Sequence, residues 1–125
     1  MNDVDKKTLL LVEDEVLIAM GRQQELEKHG YNVLTVNTGE KAIAVSKENI
    51  DIDLILMDID LGCGIDGSEA AKRILSNMDI PILFLSNHIK TEIVAVITSY
   101  GYVAKSVDTA ELNILIKMAL RFGLN

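Results

Sequence analysis

Five short apolar runs recur along the chain, at Thr8–Val12, Val33–Val36, Leu54–Met57, Ile82–Leu85 and Tyr102–Ala104, each too short to be read as a helix. They predict five strands. Five segments of helical character lie between and after them. The cleanest stripes are Ala71, Ile74, Leu75, Met78, then Ile93, Val96, Ile97, Tyr100, then Leu112, Leu115, Ile116, Ala119. Each places its residues at i, i+3, i+4 and i+7, one face of a helix. The segment after the first strand is less tidy: Val16, Ala19, Met20 and Leu26 share a face that also carries Gln23, with Leu17 and Ile18 off it. Strands that alternate with helices must run parallel, joined by right-handed crossovers with helices on both faces of one sheet. The expected architecture is an open α/β sandwich.

Punctuation supports this division. Asp66 stands three residues before Glu69 and Asp108 three before Glu111, the spacing of a capping box with Asp in the cap position. Gly30 and Gly101 fit helix-ending positions. The lone proline, Pro81, sits where a loop becomes a strand and interrupts no ladder. With 125 residues, 49% of them hydrophobic, and no linker or repeat, the chain is expected to form a single domain, 1–125, with a folded core over about 8–121.

Composition narrows the function. Nineteen acidic residues face twelve Lys and Arg, a net charge of −7 with no basic run, which argues against direct nucleic-acid binding. Five aromatics without Trp supply no stacking platform for single strands. No apolar stretch approaches the ~18 residues of a membrane span. A single cysteine and a polar start, MNDVDKK, without the apolar core of a secretory signal point to the cytoplasm. Cys63 and His29 suggest no chemistry beyond a turn and a helix end.

In an open parallel sheet the ligand site lies outside the carboxyl ends of the strands. Here the first strand runs into Glu13, Asp14 and Glu15, and the third into Asp58 and Asp60. A single Asp after a strand is ordinarily a cap or a solvated turn. Two acidic clusters on strands that can be neighbours point instead to a hard cation held by oxygens. Because few protein oxygens are on offer, Mg²⁺ with retained waters fits better than a calcium cage. The fourth strand ends in Ser86 and the fifth delivers Lys105. A hydroxyl, an ammonium and a divalent cation make a cradle for phosphoryl oxygens, and the Asp58 carboxylate is a nucleophile able to form an acyl phosphate.

VEDE at 12–15, LILMDID at 54–60, FLSNH at 84–88 and YVAKS at 102–106 together resemble the receiver domain of two-component response regulators, of the chemotaxis-regulator type. The resemblance covers nearly the whole chain. It implies a flavodoxin-like sheet of order 2-1-3-4-5 with five helices on both faces. It also implies phosphorylation of Asp58 by a sensor histidine kinase or a phosphotransfer protein. Carried over position by position, Asp14 and Asp58 would ligate Mg²⁺ directly, Glu13 through water, and Asp60 through its backbone carbonyl. Ser86 and Lys105 would hold phosphoryl oxygens, and Ser86 with Tyr102 would form the switch. Asp60 and His88 occupy places that influence the loss of the phosphoryl group. The implied partners include a downstream output domain or protein. A second copy could meet the face built from the fourth helical segment, the fifth strand and the last helix.

Three departures from the family bear on switching. Asn87 stands where a small residue is usual, Ser106 replaces the customary proline after the lysine, and the segment from Ser86 to Lys105 is about three residues short. They favour one alternative, a degenerate receiver that only docks partners. A second alternative is a small aspartate-nucleophile phosphatase, because Asp58-Ile59-Asp60 resembles the haloacid-dehalogenase motif. That motif, however, follows the first strand in a longer chain with a cap. A flavodoxin-like electron carrier is excluded, since Glu13, Asp14 and Glu15 would repel a flavin phosphate. The end, ALRFGLN, brings no output domain, so a stand-alone regulator and the receiver of a longer protein are both compatible with the sequence.

Overall fold

The computed structural model describes residues 6–48, 51–62, 64–86, 102–104 and 108–122. Its five strands are β1 (Thr8–Val12), β2 (Asn32–Val36), β3 (Leu54–Asp58), β4 (Ile82–Ser86) and β5 (Tyr102–Ala104). They form one sheet in the order β2-β1-β3-β4-β5, with every adjacent pair parallel. Four helices lie among the described residues: α1 (Val16–Lys28), α2 (Gly39–Glu48), α3 (Gly67–Leu75) and α4 (Thr109–Phe122). The helical stripe expected over Ile93–Tyr100 lies outside them, as does Gly101.

β1, β3 and β4 are buried on both faces, which is why they read as unbroken apolar runs, whereas the edge strand β2 is largely exposed. Alternate residues of each strand feed opposite layers. Leu9 and Leu11 join Leu54, Leu56, Leu83 and Leu85 under α1 and α4, where Ala19, Leu26, Leu112, Ile116 and Ala119 close the layer. Leu10, Val12, Ile55, Met57, Ile82 and Phe84 face α2 and α3 and meet Ala42, Ala70, Ala71 and Ile74. Leu75 and Met78 pack at the margin of that second layer.

Two expected stripes are corrected. In α1 the buried residues are Ala19 and Leu26, while Val16 and Met20 are 64% and 54% exposed. The inward face is therefore centred on Ala19, Arg22 and Leu26, and the apolar residues at the start of the helix lie off it. In α4, Leu115 is at the surface beside Ile114 and Met118, because the inward row is Leu112, Ile116 and Ala119. The caps are as the spacing requires: Asp66 Oδ1 accepts from the N–H of Glu69 at 2.8 Å, and Asp108 Oδ1 from that of Glu111 at 2.8 Å. The Glu69 carboxylate, expected to complete a box, reaches forward to Arg73 Nε at 3.0 Å. Gly30 has φ +94°, the left-handed conformation that ends α1.

Candidate functional site

Parallel register brings the carboxyl ends of β1, β3, β4 and β5 to one edge. Val12 pairs with Met57, Asp58 with Leu85 and Ser86 with Ala104. Glu13 follows Val12 directly, and its N–H is tied to the carbonyl of Val36 on β2 at 3.0 Å. Glu13 is 1% exposed and Asp58 is fully buried, whereas Asp14 is partly accessible. Carboxylate oxygens of Glu13, Asp14 and Asp58 all lie within 4.8 Å of one another. Three anions so close, two of them buried, repel strongly at low dielectric, so a bound cation would stabilise the arrangement. All the donors are oxygens, the chemistry that Mg²⁺ selects.

The three acids that the sequence put at the ends of the first and third strands thus lie together in space. Of the two other acids at these turns, Glu15 is exposed and contributes its N–H to Glu13 Oε2 at 3.1 Å. Asp60 is exposed too, and its N–H donates to Asp58 Oδ1 at 3.0 Å, which fixes the Asp58 carboxyl against the turn that follows it. Ser86 is the last residue of β4 and Tyr102 the first of β5. Lys105, Asn87, His88 and Ser106 lie outside the described residues.

Five further residues shape the site. Gly62 donates its N–H to Asp14 Oδ2 at 2.9 Å, joining the turn after β3 to the turn after β1. Ile65 N–H donates to Glu40 Oε2 at 3.1 Å, joining the same turn to α2. Gly67 donates to the carbonyl of Ile59 at 3.2 Å, bringing the start of α3 against the end of β3. Arg22 projects from the inward face of α1: burial pulls its guanidinium below the usual range, and attraction to Glu13 acts in the opposite sense. Gly67, one residue after the cap Asp66, carried a weak signal in the sequence. Glu40 and Arg22 carried none, since nothing in their local pattern reports what lies across from them.

A cleft of about 590 Å³ opens elsewhere, between α1 and the start of α4. It is lined by Arg22, Glu25, His29 and Asp108, but not by the three clustered acids. No helix among the described residues is long and apolar enough to cross a membrane.

The family model for the response regulator receiver domain matches residues 9–117. The chain is similar to the phyllosphere-induced regulator PhyR of Methylorubrum extorquens, 30% identical over 116 residues that cover 91% of this chain and 43% of that protein. A similar solved structure is the N-terminal domain of a response regulator/sensory box/GGDEF three-domain protein from Carboxydothermus hydrogenoformans. It is 39% identical with a TM-score of 0.83, over 92% of this chain and 94% of that one. Another is the response regulator TrrA of Thermotoga maritima in complex with Mg²⁺-BeF, 30% identical with a TM-score of 0.78, over 90% of this chain and 97% of that one. The chain spans about half or less of the length of the curated relatives it matches.

Proposed function

The chain belongs to the response regulator receiver domain family, a family of signalling modules rather than enzymes, and from that premise we propose that it is a phosphorylation-dependent switch. The observation that carries this reading is the meeting of Glu13, Asp14 and Asp58 at the carboxyl edge of the sheet, with Asp58 fully buried at the end of β3. Asp14 and Asp58 are assigned to ligate Mg²⁺ directly, Glu13 through water, and Asp60 through its backbone carbonyl. When bound, Mg²⁺ supplies positive charge that offsets the clustered carboxylates and the incoming phosphoryl group.

Asp58 is the nucleophile. One carboxylate oxygen forms a bond to phosphorus while the bond from phosphorus to a histidine nitrogen of a sensor kinase or phosphotransfer protein breaks. The nitrogen keeps the electron pair, and an acyl phosphate remains on the chain. The hydrogen bond from Asp60 N–H to Asp58 Oδ1 orients that carboxyl for the attack. Lys105 and Ser86 receive phosphoryl oxygens by charge-assisted hydrogen bonds. Ser86 and Tyr102, on the adjacent strands β4 and β5, transmit the change, and Asp60 and His88 set how long the acyl phosphate lasts.

The outward row of α4, with Ile114 at 59% and Met118 at 51% exposure, supports a partner face there for an output domain, an output protein or a second copy. Cytoplasmic placement accords with partners of this kind. The test is incubation with acetyl phosphate and MgCl₂ followed by mass spectrometry. A base-labile adduct at Asp58, absent from Asp58→Asn, is expected. Undiminished labelling of Asp58→Asn at another residue would overturn the assignment, and a parent chain that takes no label would favour the docking-module reading.

A further inference from the structure

Between β3 and α3 the described residues 60–62 and 64–66 are held by carboxylates, each accepting from a backbone N–H. Asp58 takes Asp60 N–H at 3.0 Å, Asp14 takes Gly62 N–H at 2.9 Å, and Glu40 takes Ile65 N–H at 3.1 Å. Two of these acids belong to the cation and phosphoryl chemistry proposed above. The third does not: Glu40 lies in the first turn of α2. Its carboxylate rests on the backbone of Gly64, where a Cβ would stand 2.5 Å from both of its oxygens. Gly64 has φ +74°, so the chain turns there in a conformation that suits glycine and clears room for the carboxylate. Gly39, beside Glu40, is likewise pressed against the Ile65 side chain. Glu40 thus anchors the far end of a turn whose near end carries Asp60 and Gly62.

We infer that Glu40 is a positioning residue for the cation site: by clamping Gly64 and Ile65 it fixes the turn that presents the Asp60 carbonyl to the cation, the Asp60 N–H to Asp58 and the Gly62 N–H to Asp14. The inference rests on the Mg²⁺ reading given above. An octahedral cation with few protein ligands loses affinity when one of them is free to wander, because the ordering then has to be done at the moment of binding. A hydrogen bond at the surface is modest in strength, so the effect is of the same size, about three- to tenfold in affinity.

The experiment is a titration of the chain with MgCl₂, followed by amide chemical shifts, with hydrogen exchange of the Ile65 amide as a second readout. Glu40→Ala is expected to weaken Mg²⁺ binding about three- to tenfold and to speed exchange at Ile65. Glu40→Gln keeps an acceptor oxygen and is expected to restore most of both. Gly64→Ala leaves the charge of Glu40 in place but crowds its carboxylate, and is expected to weaken binding as Glu40→Ala does. It also covers the case in which Glu40→Ala does not fold. Parent-like Mg²⁺ affinity in Glu40→Ala would overturn the inference. So would Glu40→Gln as weak as Glu40→Ala, which would assign the effect to charge at a distance. Failure of the parent chain itself to bind Mg²⁺ would instead overturn the cation reading, and the inference with it.

Discussion

The Cα of Gly67 lies directly against the backbone carbonyl of Asp58, so close that any Cβ at position 67 would collide with that oxygen. The start of α3 is thereby seated on the last residue of β3, the residue assigned to accept the phosphoryl group. The N–H of Gly67 holds the contact through the carbonyl of Ile59 at 3.2 Å.

Gly67→Ala is therefore expected to destabilise the chain. Ala gains at most about 1 kcal/mol of helix propensity over Gly. The collision is with backbone, which cannot rotate aside, and forcing an extra methyl into a filled space costs about 1–3 kcal/mol. The steric term wins, and urea unfolding should show a lower midpoint. A midpoint equal to or above that of the parent would contradict the contact.

The acid cluster makes opposite predictions with and without metal. In EDTA, Asp14→Asn removes one of three mutually repelling charges while its amide oxygen still accepts from Gly62 N–H, so the melting temperature should rise. Asp14→Ala relieves the same repulsion but abandons the Gly62 N–H, and should gain less. In excess MgCl₂ the parent should overtake both variants, because it alone keeps the full donor set. Calorimetry in the two buffers reads the order, and an Asp14→Asn variant that melts below the parent in EDTA would count against repulsion.

Arg22 is the one basic side chain on the inward face of α1, between buried Ala19 and Leu26. Burial disfavours its charge, and the attraction of Glu13 supports it. Arg22→Met removes a positive charge that competes with a cation for Glu13, so Mg²⁺ should bind more tightly than to the parent. Without metal the acids lose an internal counter-charge, and stability in EDTA should fall. A purely structural role for Arg22 would lower both quantities together, so the opposite signs are the discriminating result.

The central strands β1, β3 and β4 were legible in the sequence because burial on both faces leaves a signature that needs no partner to be seen. The runs at Thr8–Val12 and Tyr102–Ala104 match the strands residue for residue, and the other three differ only by a polar residue at one end. Asp58 and Ser86 are two of those end residues, and strand geometry carries them into the sheet. Glu13, Asp14 and Asp58 were legible for a related reason: a carboxylate directly after an apolar strand is placed at the sheet edge by connectivity alone. The direction of α1 was legible only in part: Leu17 and Ile18 lie off the buried face as expected, but Val16 and Met20, expected on it, lie off it too. Periodicity reports apolar residues but cannot say which of them the sheet covers. Gly67, Gly64 and Glu40 owe their importance to approaches between segments that no local pattern encodes.

The cap of α3 gives a prediction in pH. Asp66 Oδ1 accepts from the N–H of Glu69 and from the Ser68 hydroxyl, and the backbone bond to Glu69 is the larger cause of a carboxyl held below its ordinary value of 3.8. A carboxyl depressed on folding contributes stability that is present above its unfolded value and is lost as pH falls through the folded one. Asn caps a helix about as well as Asp but does not titrate. The difference in stability between the parent and Asp66→Asn should therefore be constant at neutral pH and move against the parent below pH 3.8. Taking the difference cancels the contributions of the other acids, which both proteins share. Asp66 is largely exposed, so the change should be small and should shrink further in high salt. Thermal unfolding of the pair from neutral pH down to the acid limit of folding reads it directly. A difference independent of pH would show that the cap acts through hydrogen bonding alone, without its charge.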